Sequence, residues 1–134
     1  MRVNDFTGVH NVQSMAQLEQ RLGLRFLDEQ NLFHLIPDSA DYPALTIHVR
    51  ADRAVIYYVP KDGHSGYVSL GGKMNLDPKE WTTFSIDGFD PGETIDVPHE
   101  FIVPFSEAVK AAKEFFHSDA QERPRSIEWT QQWR

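Results

Sequence analysis

The stretch from Ala44 to Val59 constrains the fold more than any other part of the chain. In Ala44 to Arg50, Leu45, Ile47 and Val49 alternate with Thr46, His48 and Arg50. A period of two puts the apolar residues on one face of a strand and the polar ones on the other. Ala51-Asp52-Arg53 is a tight connection, so the next run returns antiparallel as a hairpin. That run, Ala54-Val55-Ile56-Tyr57-Tyr58-Val59, is apolar throughout. It predicts a central strand covered on both faces, with helices on one of them. Pro60-Lys61-Asp62-Gly63 then breaks it.

The remaining elements fall around this hairpin. Ser14-Met15-Ala16-Gln17 fits a capping box, in which Ser14 accepts from the Gln17 amide and the Gln17 side chain reaches back. Met15, Leu18 and Leu22 form one helical stripe, and Gly23 follows as a left-handed cap. Asn31 to Ile36, Tyr67 to Leu70 and Trp81 to Ile86 read as strands, and Phe101 to Val103 ends the sheet region. Asp87 to Gly92 reads as a loop. Pro104 opens a second helix, with Ala108, Val109, Ala112, Phe115 and Phe116 as its apolar face. Lys110 and Glu114 are spaced for an exposed pair. A polar loop, Ser118 to Arg123, leads to a last short strand, Ile127 to Trp129. The order is helix, meander, helix, strand. It predicts an α+β fold: a mainly antiparallel sheet with an N-terminal and a C-terminal helix packed on one face.

With 134 residues and no repeat or linker, residues 1–134 read as one domain able to bury its own core. Met1 to Gly8 has no apolar signal region, and no run approaches the ~18 apolar residues of a membrane helix. A soluble cytoplasmic protein is expected. Twenty acidic residues against thirteen Lys and Arg, net −7, argue against direct nucleic-acid binding. The same acidity serves either solubility or a steered encounter with a basic partner.

Catalytic patterns are missing. With no cysteine there is no thiolate metal site and no cysteine nucleophile. The histidines at 10, 34, 48, 64, 99 and 117 make no ligand pair, so no metal is expected. Gly66 to Lys73 resembles a phosphate loop only superficially, because Lys73 is offset and Met74 replaces the Ser or Thr that binds magnesium. Ser69 has no nucleophile elbow around it. Asp87, Asp90, Glu93 and Asp96 alternate with Gly and Pro, as solvated loops do. No catalytic residue and no cofactor is assigned. The rival reading is a small-molecule binder or enzyme using a cleft beside the Tyr57-Tyr58 strand.

Two blocks carry a resemblance. Tyr42-Pro43-Ala44-Leu45-Thr46-Ile47 with Ala54 to Tyr58 looks like the central hairpin of the first-numbered immunity family of polymorphic toxin systems. The C-terminal block, Glu107 to Phe116, then Arg123-Pro124, then Ile127-Glu128-Trp129, resembles that family's closing helix, Arg-Pro step and Trp-bearing strand. The loop Ser118 to Glu122 is longer than the family pattern, and the tail Gln131 to Arg134 extends beyond it. The resemblance implies a cognate inhibitor of a deaminase-superfamily toxin, whose chemistry uses a zinc-activated water. This chain has neither cysteine nor an H-x-E motif, so it fits the inhibitor side. The implied partner is a basic, deaminase-type toxin domain in a 1:1 heterodimer. Neither a membrane nor a direct nucleic-acid contact is expected. Composition places the toxin-binding surface on residues 60–74 and 77–93. There Tyr67 and Trp81 are candidate anchors. Asp62, Asp77, Glu80, Asp87 and Asp90 form the charged rim.

Overall fold

The computed structural model describes residues 1–131; the rest of the C-terminal tail lies outside the described residues. The Ala44–Val59 hairpin forms as its pattern demands. Strand β4 (Ala44–Arg50) pairs antiparallel with β5 (Arg53–Val59), Arg50 opposite Arg53 and Ala44 opposite Val59. Leu45, Ile47 and Val49 share one core with Ala54, Ile56 and Tyr58, while Val55 lies in a second. The central strand is thus covered on both sides.

Around it run β3 (Gln30–Ile36), β6 (Tyr67–Ser69), the short β9 (Val103–Pro104) and β10 (Trp129–Gln131). The sheet also takes in a hairpin that the sequence pattern did not reveal, β1 (Arg2–Asp5) and β2 (Gly8–Asn11). Its order is β10-β6-β5-β4-β3-β1-β2, antiparallel throughout, with β9 on β5. The chain therefore opens with strands, not with a helix. Each strand of this hairpin has four residues, too few for a periodic signal, and Asp5 is a buried acid where an apolar residue would be looked for. Its carboxylate accepts from the Thr7 amide (2.8 Å), the Thr7 hydroxyl (2.6 Å) and Arg21 Nη2 (2.8 Å). Burial alone would push the Asp5 carboxyl up. The bonds from Thr7 and Arg21 outweigh that and hold it below the ordinary carboxylate range.

Helix α1 (Met15–Leu22) starts at Ser14, whose Oγ accepts from the Gln17 amide at 3.2 Å. The Gln17 side chain reaches back one residue past the cap and accepts from the Gln13 amide at 2.7 Å. Replacing Ser14 with Ala removes one of these partners in an exposed setting. A loss of about 1 kcal/mol in urea unfolding is expected. Gly23 is not left-handed; its φ is −78°. The Leu24 amide closes a tighter turn on Arg21 O. Arg25 Nη1 donates to the Leu22 (2.7 Å) and Leu24 (3.0 Å) carbonyls, so the helix end is satisfied without a left-handed residue.

Helix α2 (Phe105–His117) begins one residue later than the sequence suggests, with Pro104 as its cap and not its first residue. Ala108, Ala111, Ala112 and Phe115 are buried in the same core as Leu18 and Leu22 of α1. Glu114 does not pair with Lys110. It accepts from the Ser126 amide (3.2 Å) and from the Ser126 hydroxyl, tying the C-terminal loop to the helix. The result is an α+β fold, a mainly antiparallel sheet with two helices.

Candidate functional site

The strand expected at Trp81–Ile86 forms, but it leaves the sheet. β7 (Trp81–Ser85) pairs only with β8 (Thr94–Pro98), a strand hidden in a run that reads as acidic loop. β10 occupies the outer edge of β6, so the main sheet has no edge there for β7 to join. The two-stranded hairpin instead covers a second, smaller core of Val55, Val68, Phe84, Val97, Phe101 and Ile102.

Side chains from the sheet pin the hairpin in place. Arg53 Nη1 donates to Thr82 Oγ1 (2.9 Å), Arg50 Nη1 to the Thr83 carbonyl (2.9 Å), and the Ser85 amide to Gln30 Oε1 (2.7 Å). These three donors and acceptors come from β5, β4 and β3 in turn, so β7 crosses the strands at their turn end. His99 bridges Thr82 Oγ1 (2.9 Å) and the Asp77 carbonyl (2.7 Å), holding the β6–β7 connection against the hairpin. His48 projects from β4 toward this second core, its ring 5.7 Å from Tyr57 and 6.0 Å from Phe84. Its Nδ1 has no hydrogen-bond partner, and burial lowers its pKa to about 4. It is a neutral core histidine at physiological pH.

The seven residues singled out from the sequence separate into four places. Asp77, Glu80 and Trp81 stand at one end of the hairpin, with Trp81 half-exposed at 50%. Asp87 and Asp90 stand at the other end, about 17 Å along a strand of five residues. Asp62 is exposed on the β5–β6 turn. Tyr67 lies on the opposite side of the sheet, opposite Tyr58 in the strand register and under the Arg123 guanidinium at 4.5 Å. Phe89, outside the seven, is at 71% the most exposed large hydrophobic side chain among the described residues. A lone Phe between Gly and Asp in a polar loop was the available signal.

The cleft beside the central strand exists as well. It holds about 310 Å³ between Tyr57, Val68, Ile95, Val97 and Phe101. Asp96 on its wall is engaged by the Thr83 hydroxyl at 2.6 Å. Among the described residues no group of three or more His, Asp or Glu is placed to hold a metal ion. No helix among them is long and apolar enough to cross a membrane.

The chain is 25% identical over 131 residues to a protein of Burkholderia cenocepacia (strain H111) described as a double-stranded DNA deaminase immunity protein, an alignment that spans 98% of this chain and 99% of the relative. The family model described as Immunity protein Imm1 matches residues 13–131, from just before α1 to the end of β10. With nearly the whole chain matched, the resemblance read from the central hairpin and the C-terminal block holds, and the chain belongs to the Imm1 immunity protein family.

Proposed function

We propose that this chain is a single-domain immunity protein that binds a cognate nucleic-acid deaminase toxin and blocks its active site. Family membership carries this reading, and the curated relative's stated partner chemistry gives the toxin class. The protein works as a docking partner without catalysis of its own, in the cytoplasm of the producing cell and as a 1:1 complex. Both helices back one face of the sheet, leaving the hairpin side for the toxin. Asp77, Glu80 and Trp81 at one hairpin end and Asp87 and Asp90 at the other are the proposed contacts on that side, with Asp62 on the β5–β6 turn; Tyr67 faces the helix side and joins the contact only where the toxin reaches around the β5–β6 edge.

The physics suits that role. A toxin that grips nucleic acid carries cations for the phosphates. A chain of net charge −7 meets such a surface with a favourable long-range field, which speeds association. Displacing an abundant substrate needs affinity of about nanomolar, near −12 kcal/mol. A patch of about 800 Å² on each partner can supply it.

Co-expression decides the matter. Cells producing the deaminase-type toxin domain encoded beside this chain are expected to grow only when the chain is also made. Deaminase activity of the purified toxin is expected to vanish at equimolar chain. Continued killing with both proteins present, or activity that survives an excess of the chain, overturns the reading.

A further inference from the structure

We propose that the tip of the β7–β8 hairpin, with Phe89 as its anchor, seats against the cationic strip with which the toxin would otherwise hold its nucleic-acid substrate. This rests on the toxin-inhibitor reading above and assigns that reading a surface.

Exposure and order coincide at the tip. Phe89 is largely in solvent, yet the loop that carries it is built. The Asp87 carboxylate accepts from the amides of Phe89 (3.0 Å) and Glu93 (2.8 Å), bonds that keep its pKa below the ordinary carboxylate value. The Gly88 amide donates to Ser85 Oγ (2.9 Å), and the Ile86 amide to the Glu93 carbonyl (3.0 Å). Gly88 lies flat on the Phe6 ring, where a Cβ would stand 2.9 Å from Cγ. An aromatic ring held out on an ordered loop loses little conformational freedom on binding, so more of its burial appears as affinity.

Beside Phe89 opens a cleft of about 550 Å³, walled by Leu27, Asp28, Arg50, Thr83, Asp90 and Pro91. Arg50 is committed to Asp28 and to the Thr83 carbonyl, so the one base in the cleft is already paired. Residues 86–94 carry three acids and no base. Asp90 and Glu93 are exposed on either side of the tip.

Charge also separates this patch from the other exposed apolar positions. Val9, 65% exposed on the edge strand β2, shares its hollow with Arg2 and His34 as well as Asp41. Leu70 stands beside Lys73. Only around Phe89 do a largely exposed ring, a cleft and a tip of three acids with no base meet among the described residues, the one base of the cleft, Arg50, being paired with Asp28. Such a patch fits a surface lined with Lys and Arg, whose aliphatic stems cover the ring while their heads meet the carboxylates. Occupying those cations competes directly with phosphate.

The test is a kinetic binding measurement against the toxin domain encoded beside this chain, made inactive by replacing its general-acid glutamate. Phe89→Ala is expected to weaken binding by about 100-fold, nearly all of it in faster dissociation. The pair Asp90→Asn with Glu93→Gln is expected to slow association by roughly tenfold at low salt and to flatten its salt dependence. Val9→Ala is the control and is expected to change nothing. All variants should melt where the parent does, because none of these side chains belongs to either core. If the parent chain forms no complex, the functional reading falls and this inference with it. If the parent binds tightly while Phe89→Ala binds within threefold of it, or Val9→Ala loses as much, the inference alone is overturned.

Discussion

Replacing Gly71 with alanine is expected to destabilise the protein by about 3 kcal/mol and to loosen the β7–β8 hairpin first. Gly71 follows β6 and Leu70, where the chain runs against residues 99–102. Its amide donates to the Glu100 carbonyl at 2.6 Å. A Cβ at this position would overlap the Ile102 carbonyl oxygen and stand 3.0 Å from that of Glu100. Both obstacles are backbone, so no rotamer change relieves them. The two segments must part, which strains the packing of Ile102 and Phe101 in the smaller core and weakens the amide bond. Chemical unfolding gives the total loss, and amide exchange at residues 81–85 and 94–98 locates it. A loss under 1 kcal/mol, or exchange that quickens first in α2, shows that the close approach is not what holds the hairpin.

Acid is expected to remove nearly as much stability, through His48. Its folded-state pKa of about 4 lies below the ordinary 6.5 because burial disfavours the cation. The unfolded chain therefore takes up this proton first. Stability is complete above about pH 6.5 and falls as pH drops toward 4. Linkage gives a loss of about 2 kcal/mol by pH 5 and about 3 kcal/mol by pH 4. His34, also lowered by burial, slopes the same way. Asp5, with its depressed carboxyl, adds its own loss at still lower pH. His48→Leu isolates the first contribution: between pH 7 and pH 4.5 the variant should lose markedly less stability than the parent. Parallel curves for the two proteins would mean that folded His48 takes up its proton as readily as the unfolded chain does.

What could be read in advance was set by periodicity. The β4–β5 pairing, the Ser14 cap and the buried face of α2 each follow from a pattern complete within a short stretch of consecutive residues. The failures share a cause, which is that polar side chains there have partners distant in the chain. Asp5 is buried because Arg21 lies 16 residues away and reaches it. In β8, Ile95 and Val97 do alternate, but Asp96 between them and the acids before them dominate a local reading; Thr83 on the facing strand explains Asp96. Gly23 reads as a left-handed turn because nothing local shows Arg25 folding back on the helix end. The candidate site was legible as composition, acids and aromatics in residues 60–93, but not as geometry. The departure of β7 from the sheet divides that composition between two hairpin ends and two sheet faces.

The pegs that fix the hairpin, from Arg53, Arg50 and Gln30, all engage residues 82–85. None reaches Phe89 through Gly92, whose side chains belong to neither core. The side chains of Phe89 and Asp90 can therefore be exchanged without disturbing either core, whereas Gly92 must stay, because a Cβ there would overlap Asp87 Oδ1 and the Phe89 carbonyl oxygen. A library confined to positions 89 and 90 would explore new partner preferences on an unaltered, stable body.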